Sequence, residues 1–244
     1  MGEVRKGNTR SFGESMKKYI LGVKIDDVSL NEAIKKVERW LDDTKKRYIV
    51  TPNPEFLVTA YNDPEFKKIL NNADLAIPDG VGLKLSGGIE CITPGIDLME
   101  ALIKMAEEKG AAVGFLGGRD KVAEETVKCL KEKYPKLRVS FISEEPENIS
   151  SADVLFVAFG APKQEKWIAE NLNNIPVKVA MGVGGAFDVL CGRIPRAPVW
   201  VRKLGLEWLF RLTVQPWRIN RQLALLKYLM LIWKYGNYKD TQRS

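Results

Sequence analysis

Ala112-Val113-Gly114-Phe115-Leu116, then Gly117-Gly118-Arg119-Asp120, then an amphipathic run from Lys121 to Lys133, read as strand, glycine turn and helix. The pattern returns twice downstream. Val154–Ala158 leads into Phe159-Gly160-Ala161-Pro162 and a helix over Lys163–Leu172; Val177–Met181 leads into Gly182-Val183-Gly184-Gly185 and a helix over Ala186–Leu190. Short β-branched strands alternating with helices at this spacing predict an α/β fold, a Rossmann-like and mostly parallel sheet covered by helices on both faces. Ligands of such sheets sit beyond the carboxyl ends of the strands, where these glycine turns fall.

The same alternation extends upstream. Tyr19–Val23 reads as a strand, and Ser29 caps a helix through Leu41, with Glu32 completing a capping box. Arg47–Thr51 and Leu75–Ile77 read as strands, and Pro54–Asn62, Pro64–Asn71 and Gly95–Glu108 as helices.

Charge divides the chain. The whole carries 38 Lys/Arg against 31 Asp/Glu; residues 195–244 hold ten of the basic residues and two acids, leaving residues 1–194 at a net of −1. Four of the six tryptophans (Trp200, Trp208, Trp217, Trp233) lie in that tail. Basic side chains interleaved with Trp and Leu suit an anionic, partly apolar surface such as a membrane interface. Confinement of the charge to an apolar segment speaks against nucleic acid as the partner. The longest apolar stretch, Leu223–Trp233, is interrupted by Lys227 and falls short of the roughly 20 residues a membrane span needs. The organisation read from these features is a flexible leader over 1–15 (with Met16 as a second possible start), an α/β catalytic domain over 16–194, and a basic, Trp-rich helical membrane-associating appendage over 195–244. The three separated cysteines have neither disulfide nor metal spacing and read as reduced cytosolic thiols.

The chain has no histidine. That removes Ser-His and Cys-His nucleophiles, histidine metal sites and imidazole acid–base catalysis. Proton transfer then falls to carboxylates, Lys, Tyr or the substrate. Asp79, in Pro78-Asp79-Gly80-Val81-Gly82 after a strand, reads either as an ordinary turn residue or as a general base on the sheet's ligand edge. Asp97 is a second carboxylate, or part of the start of the following helix. Thr51 and Asn53 stand at another strand end, where Asn53 also serves as a helix cap. Gln164 and Glu165, at the start of a helix, suit a nucleobase or sugar edge and ribose hydroxyls, although Glu in a first turn is favoured by the helix dipole anyway. Gly117, Gly118, Gly184 and Gly185 let backbone approach a phosphate, or are only tight turns. No G-x-G-x-x-G or P-loop is present, so NAD and ATP hydrolysis are not favoured and no cofactor is expected; D-x-D is absent too. If the donor is a sugar nucleotide, its departing diphosphate is neutralised by a divalent metal or by cationic side chains, for which Arg211, Arg218 and Arg221 are candidates.

Thr51-Pro52-Asn53-Pro54-Glu55, the loop from Ala73 to Gly82, Phe159-Gly160-Ala161-Pro162-Lys163-Gln164-Glu165, and Gly182-Val183-Gly184-Gly185-Ala186-Phe187-Asp188 with Arg196-Ala197-Pro198 resemble, in order, the WecG/TagA/CpsF glycosyltransferases. Thr93-Pro94-Gly95-Ile96-Asp97 departs from that pattern in its proline. The resemblance implies an inverting, metal-independent transfer of N-acetylmannosamine from a UDP-sugar donor to undecaprenyl-diphosphate-GlcNAc, a step of wall teichoic acid synthesis. It implies a peripheral enzyme on the inner face of the cytoplasmic membrane. On this chain it implies Asp79 as the base, Thr51 and Asn53 in the pocket near the reacting sugar, and Gln164 and Glu165 in the donor-nucleotide region. Arg211, Arg218 and Arg221 would complete the site and bind diphosphate, with Arg196 as a substrate contact. It also implies a homo-oligomer in the absence of membrane. Transfer of another sugar, such as the uronic acid of N-acetylmannosamine, and a non-catalytic nucleotide- or lipid-binding module remain the alternative readings.

Overall fold

The computed structural model describes residues 16–147 and 149–235, without the side chains of Met16, Arg218, Asn220, Arg221 and Gln222. The expected leader at 1–15 lies outside the described residues. The first elements are a hairpin, β1 (Met16–Ile20) and β2 (Val23–Asp27), paired antiparallel. A single strand over Tyr19–Val23 is therefore corrected: the chain reverses at Leu21-Gly22, both with positive φ (51° and 76°), as two-residue hairpin turns require.

Then follow α1 (Leu30–Leu41), β3 (Arg47–Val50), α2 (Pro54–Asn62), α3 (Pro64–Asn72), β4 (Leu75–Ala76), a 3₁₀ segment (Val81–Ser86), α4 (Gly95–Lys109), β5 (Ala112–Gly117) and α5 (Val122–Lys133). After these come β6 (Arg138–Ser143), β7 (Ala152–Ala158), α6 (Lys163–Asn171), β8 (Val177–Gly182) and α7 (Ala186–Leu190). The last described elements are α8 (Val199–Lys203), α9 (Glu207–Val214), a 3₁₀ turn at Pro216–Arg218, and α10 (Ile219–Tyr235).

Local chemistry explains the helix starts. Ser29 Oγ accepts from Glu32 N–H (3.3 Å) while Glu32 returns a bond to Ser29 N–H (2.8 Å). The side chains of Asn53 and Asp63 accept from Phe56 and Phe66 N–H, each at 3.0 Å. Ala33, Val37 and Trp40 share one buried face of α1.

The sheet is six-stranded in the order β4-β3-β8-β7-β5-β6, all parallel. Strand residues alternate between two covers. Val154 and Phe156 pack with α1, α4, α5 and α7, while Leu155 and Val157 pack beneath α6 on the opposite face. Both faces are buried, as a parallel sheet demands. Register brings the carboxyl ends together: Gly117 pairs with Ala158, Val157 with Gly182, and Val50 with Ala76. From β5 the chain turns toward β6 and from β7 toward β8, so the neighbours β5 and β7 mark a topological switch point.

The hairpin braces this edge. The Asp26 carboxylate accepts from Ala76 N–H (2.8 Å), and Asp27 accepts from Glu90 (3.1 Å) and Cys91 (2.8 Å) N–H. Among the tail residues, Tyr228 of α10 is fully enclosed in the cluster formed by Phe56, Leu57, Phe66 and Leu70 of α2 and α3. Leu223, Leu226, Met230 and Trp233 of the same helix face outward. Among the described residues no helix is long and apolar enough to cross a membrane.

Candidate active site

Three loops at the sheet's carboxyl edge converge on Asp79. Its N–H donates to the Pro52 carbonyl (2.9 Å), and the Pro78 carbonyl accepts from Thr93 N–H (2.9 Å), so the loops after β3 and β4 are joined to the entry of α4. Pro94 starts that helix, its carbonyl accepting from Asp97 (2.9 Å) and Leu98 (3.1 Å) N–H; the proline departure is thus a helix start. Thr51, buried, lies against Gly95, where an added Cβ would stand 3.2 Å from Thr51 Oγ1.

Burial pushes the Asp79 carboxyl up to about 6; the Arg211 guanidinium opposes this, Glu207 adds to it, the Gly95 N–H opposes it, and Asp97 adds a further rise. The tail therefore reaches the site. The turn before α9 seats on the Asp79 loop, since a Cβ on Gly205 would stand 3.0 Å from Val81, and one on Gly82 would stand 3.2 Å from Leu225 of α10. Arg196 pairs with Asp97 and keeps its buried Nε without a partner. Arg211 also helps line an open cleft of about 290 Å³ with Gly185, Asp188, Gln215 and Trp217.

Gln164 and Glu165 are 2% and 1% exposed, which places them beneath the turns rather than on the ligand edge. Gln164 Oε1 accepts from Gly160 (3.1 Å) and Gly184 (3.0 Å) N–H, and its Nε2 donates to Glu165 Oε1 (2.7 Å). Gly182 must lack a side chain here: a Cβ would fall 2.7 Å from Gln164 Nε2 and 2.8 Å from Glu165 Oε1. Burial raises the Glu165 carboxyl to about 7, against the hydrogen bond from Gln164, and its Oε2 has no partner. The glycine amides are also engaged: Gly118 N–H donates to the Ala158 carbonyl (3.2 Å), and Gly184 N–H to Gln164. Gly117 and Gly118 adopt φ of 88° and 82°, a run that side chains rarely follow.

The structure thus brings Thr51, Asp79, Asp97, Arg196 and Arg211 together. Asn53 caps α2, and Arg218 and Arg221 stand at the start of α10 with side chains outside the described residues. Sequence reasoning did not place Glu207, Asp188, Gln215 or Trp217 beside Arg211, where the structure has them. Asp188 stood within a quoted stretch, and the spacing of Glu207 to Arg211 was the available signal for the first.

The glycosyl transferase WecG/TagA/CpsF family model matches residues 18–242. The chain belongs to this family. Similar relatives carry the name N-acetylglucosaminyldiphosphoundecaprenol N-acetyl-beta-D-mannosaminyltransferase. One from Bacillus spizizenii is 33% identical over 229 residues, covering 84% of this chain and 89% of the relative. One from Bacillus subtilis strain 168 is 30% identical over 219 residues (84% and 86% covered). One from Staphylococcus aureus strain MRSA252 is 31% identical over 232 residues (88% and 91%). As a WecG/TagA/CpsF member the chain is a glycosyltransferase of Rossmann-like α/β architecture, and its half-buried Asp79, under the electrostatic influence of tail Arg211, lies at the sheet edge where this architecture binds ligands.

Proposed function

We propose that the protein is an inverting, metal-independent transferase that moves N-acetylmannosamine from its UDP donor to the GlcNAc of a lipid-linked diphosphate, in the building of a wall teichoic acid. The observation that carries this reading is that the Asp79 carboxyl of the body lies within the electrostatic influence of the tail's Arg211, with the tail seated on the Asp79 loop at the carboxyl edge of the sheet. The names of the relatives supply the sugar and acceptor class.

In this mechanism Asp79 takes the proton of the acceptor hydroxyl as its oxygen attacks the anomeric carbon. The bond from that carbon to the UDP oxygen breaks on the opposite face, inverting the centre, and UDP leaves with its negative charge. Arg211, with Arg218 and Arg221, neutralises the diphosphate in place of a divalent ion, in keeping with the absence of D-x-D from the chain. Thr51 orients the reacting sugar. Gln164 and Glu165 act from beneath, holding the Gly160 and Gly184 turns that shape the donor pocket.

Residues 195–244 act as an appendage on the inner face of the cytoplasmic membrane. Outward-facing Trp200, Trp217, Leu223, Leu226, Met230 and Trp233 support this docking. The body self-associates into a homo-oligomer where membrane is lacking. The test is transfer from radiolabelled UDP-N-acetylmannosamine to a short-chain lipid-diphosphate-GlcNAc in EDTA. Transfer is expected, with strong impairment by Arg218→Glu combined with Arg221→Glu at unchanged folding; no transfer by the intact chain contradicts the reading.

A further inference from the structure

Glu207 is one of two acids after Pro195, and neither composition nor family resemblance marks it. It sits in the first turn of α9, and its Oε1 lies 3.3 Å from Arg211 Nη2. Exposed pairs of this i,i+4 kind contribute little to stability. These two side chains are instead mostly enclosed, 21% and 29% exposed. The contact of Gly205 with Val81 seats the turn before α9 on the Asp79 loop, and the charges of Glu207 and Arg211 both act on the Asp79 carboxyl. Arg211 also lines the cleft beside Gly185 and Asp188. One guanidinium is thus paired with Glu207, acts electrostatically on Asp79 and lines the cleft.

We propose that Glu207 is a positioning residue for the transfer: it anchors the Arg211 guanidinium on the α9 side, aimed into the cleft, and keeps it from closing an ion pair with Asp79. The inference rests on the reading of Asp79 as base and Arg211 as the cation for the departing diphosphate. A guanidinium has five N–H donors in a fixed fork. Anchored to Glu207 through one of them, it presents the others to a diphosphate. With Glu207 neutral, Asp79 becomes the competing carboxylate, and a charge-assisted pair forms there. The base is then weakened and the cleft loses its cation in the same movement.

The other groups facing Asp79 do not substitute for Glu207. From α4 come Asp97 and the Gly95 N–H, and Asp97 is already paired with Arg196. Among the described residues, α9 supplies Glu207 and Arg211.

The experiment compares the full chain with Glu207→Gln and Glu207→Asp by two readouts. The first is the pH profile of kcat/KM with the donor KM. The second, independent of turnover, is the titration midpoint of the Asp79 carboxyl followed by ¹³C NMR. In Glu207→Gln the Asp79 midpoint and the acid limb are expected to move down by about one pH unit or more, as a newly paired carboxylate does. The donor KM is expected to rise and kcat to fall roughly tenfold or more, the size of a lost charge-stabilising contact. Glu207→Asp recovers part of each change. An unmoved Asp79 midpoint in a folded Glu207→Gln chain overturns the proposal, as does a fall in rate with the acid limb in place. Absence of transfer by the unsubstituted chain contradicts the glycosyl-transfer reading instead, while the NMR midpoint still tests Glu207.

Discussion

The backbone N–H of Asp79 donates to the carbonyl of Pro52 at 2.9 Å. This bond pins the loop that carries the half-buried Asp79 carboxyl to the loop that carries Thr51, so the two are presented together at one edge of the sheet. Arginine from the tail completes the cluster, which neither the body nor the tail contains alone.

Activity should rise with pH through about 6. A general base acts only when ionised, and in the proposed mechanism that base is Asp79, whose carboxyl burial holds up to about 6 against the pull of Arg211. The acid limb of kcat/KM against pH is expected near that value. A limb near 4, where an ordinary aspartate titrates, would show that the base is a solvated group elsewhere.

Glu165 makes fold stability pH-dependent in the opposite sense to most acids. Its carboxyl is raised from 4.5 to about 7, so the folded protein holds a proton the unfolded chain releases. Its contribution is fully present below about 4.5 and is lost as pH rises through about 7. Glu165→Gln removes the penalty of ionisation, which is on the order of 3 kcal/mol for a shift of this size. Denaturant unfolding at pH 5 and pH 8 checks this: the variant should gain on the unsubstituted chain at pH 8 and not at pH 5.

Gly182→Ala should destabilise the fold by roughly 1–3 kcal/mol, the usual cost of forcing atoms into a filled site. The added methyl would meet the Gln164 amide, held in place by the Gly160 and Gly184 N–H groups, and the Glu165 carboxyl, held by the Gln164 amide. Thermal unfolding together with donor KM reads the change; a neutral outcome would mean that Gln164 is free to withdraw.

Two aromatic residues of α10 should separate folding from surface docking. Tyr228→Ala empties a fully buried site and is expected to cost about 3–5 kcal/mol. Trp233 is 90% exposed, so Trp233→Ser should leave unfolding unchanged while reducing sedimentation with anionic vesicles. Loss of stability in both variants, with vesicle binding intact, contradicts the division of faces.

Much of the fold was legible because its signals are local. The capping box at Ser29 and Glu32, the proline starts of α2 and α3, and the glycine turns after β5, β7 and β8 are all short-range chemistry. The β1–β2 hairpin escaped reading because Leu21 occupies a positive-φ turn position that normally calls for Asn or Gly. Strand β6 escaped because it is an edge strand with a weak apolar face, although Val139 and Phe141 alternate with polar residues. At the site, Asp79 was legible as a carboxylate on a strand-end loop. Its electrostatic coupling to Arg211 was not, because more than a hundred residues separate them and the seating of the tail on the Asp79 loop, Gly205 against Val81 and Leu225 against Gly82, is long-range packing. Burial likewise hid the inward role of Gln164, whose position in a first helical turn resembles that of a ligand contact.

The most direct test of the central claim is the rate of N-acetylmannosamine transfer to lipid-diphosphate-GlcNAc by Asp79→Asn beside the unsubstituted chain, in EDTA, with both chains checked for equal thermal unfolding. A general base in this position predicts a loss of about 100-fold or more in kcat with the fold intact. Near-normal turnover by Asp79→Asn would contradict the account and remove Asp79 as the base.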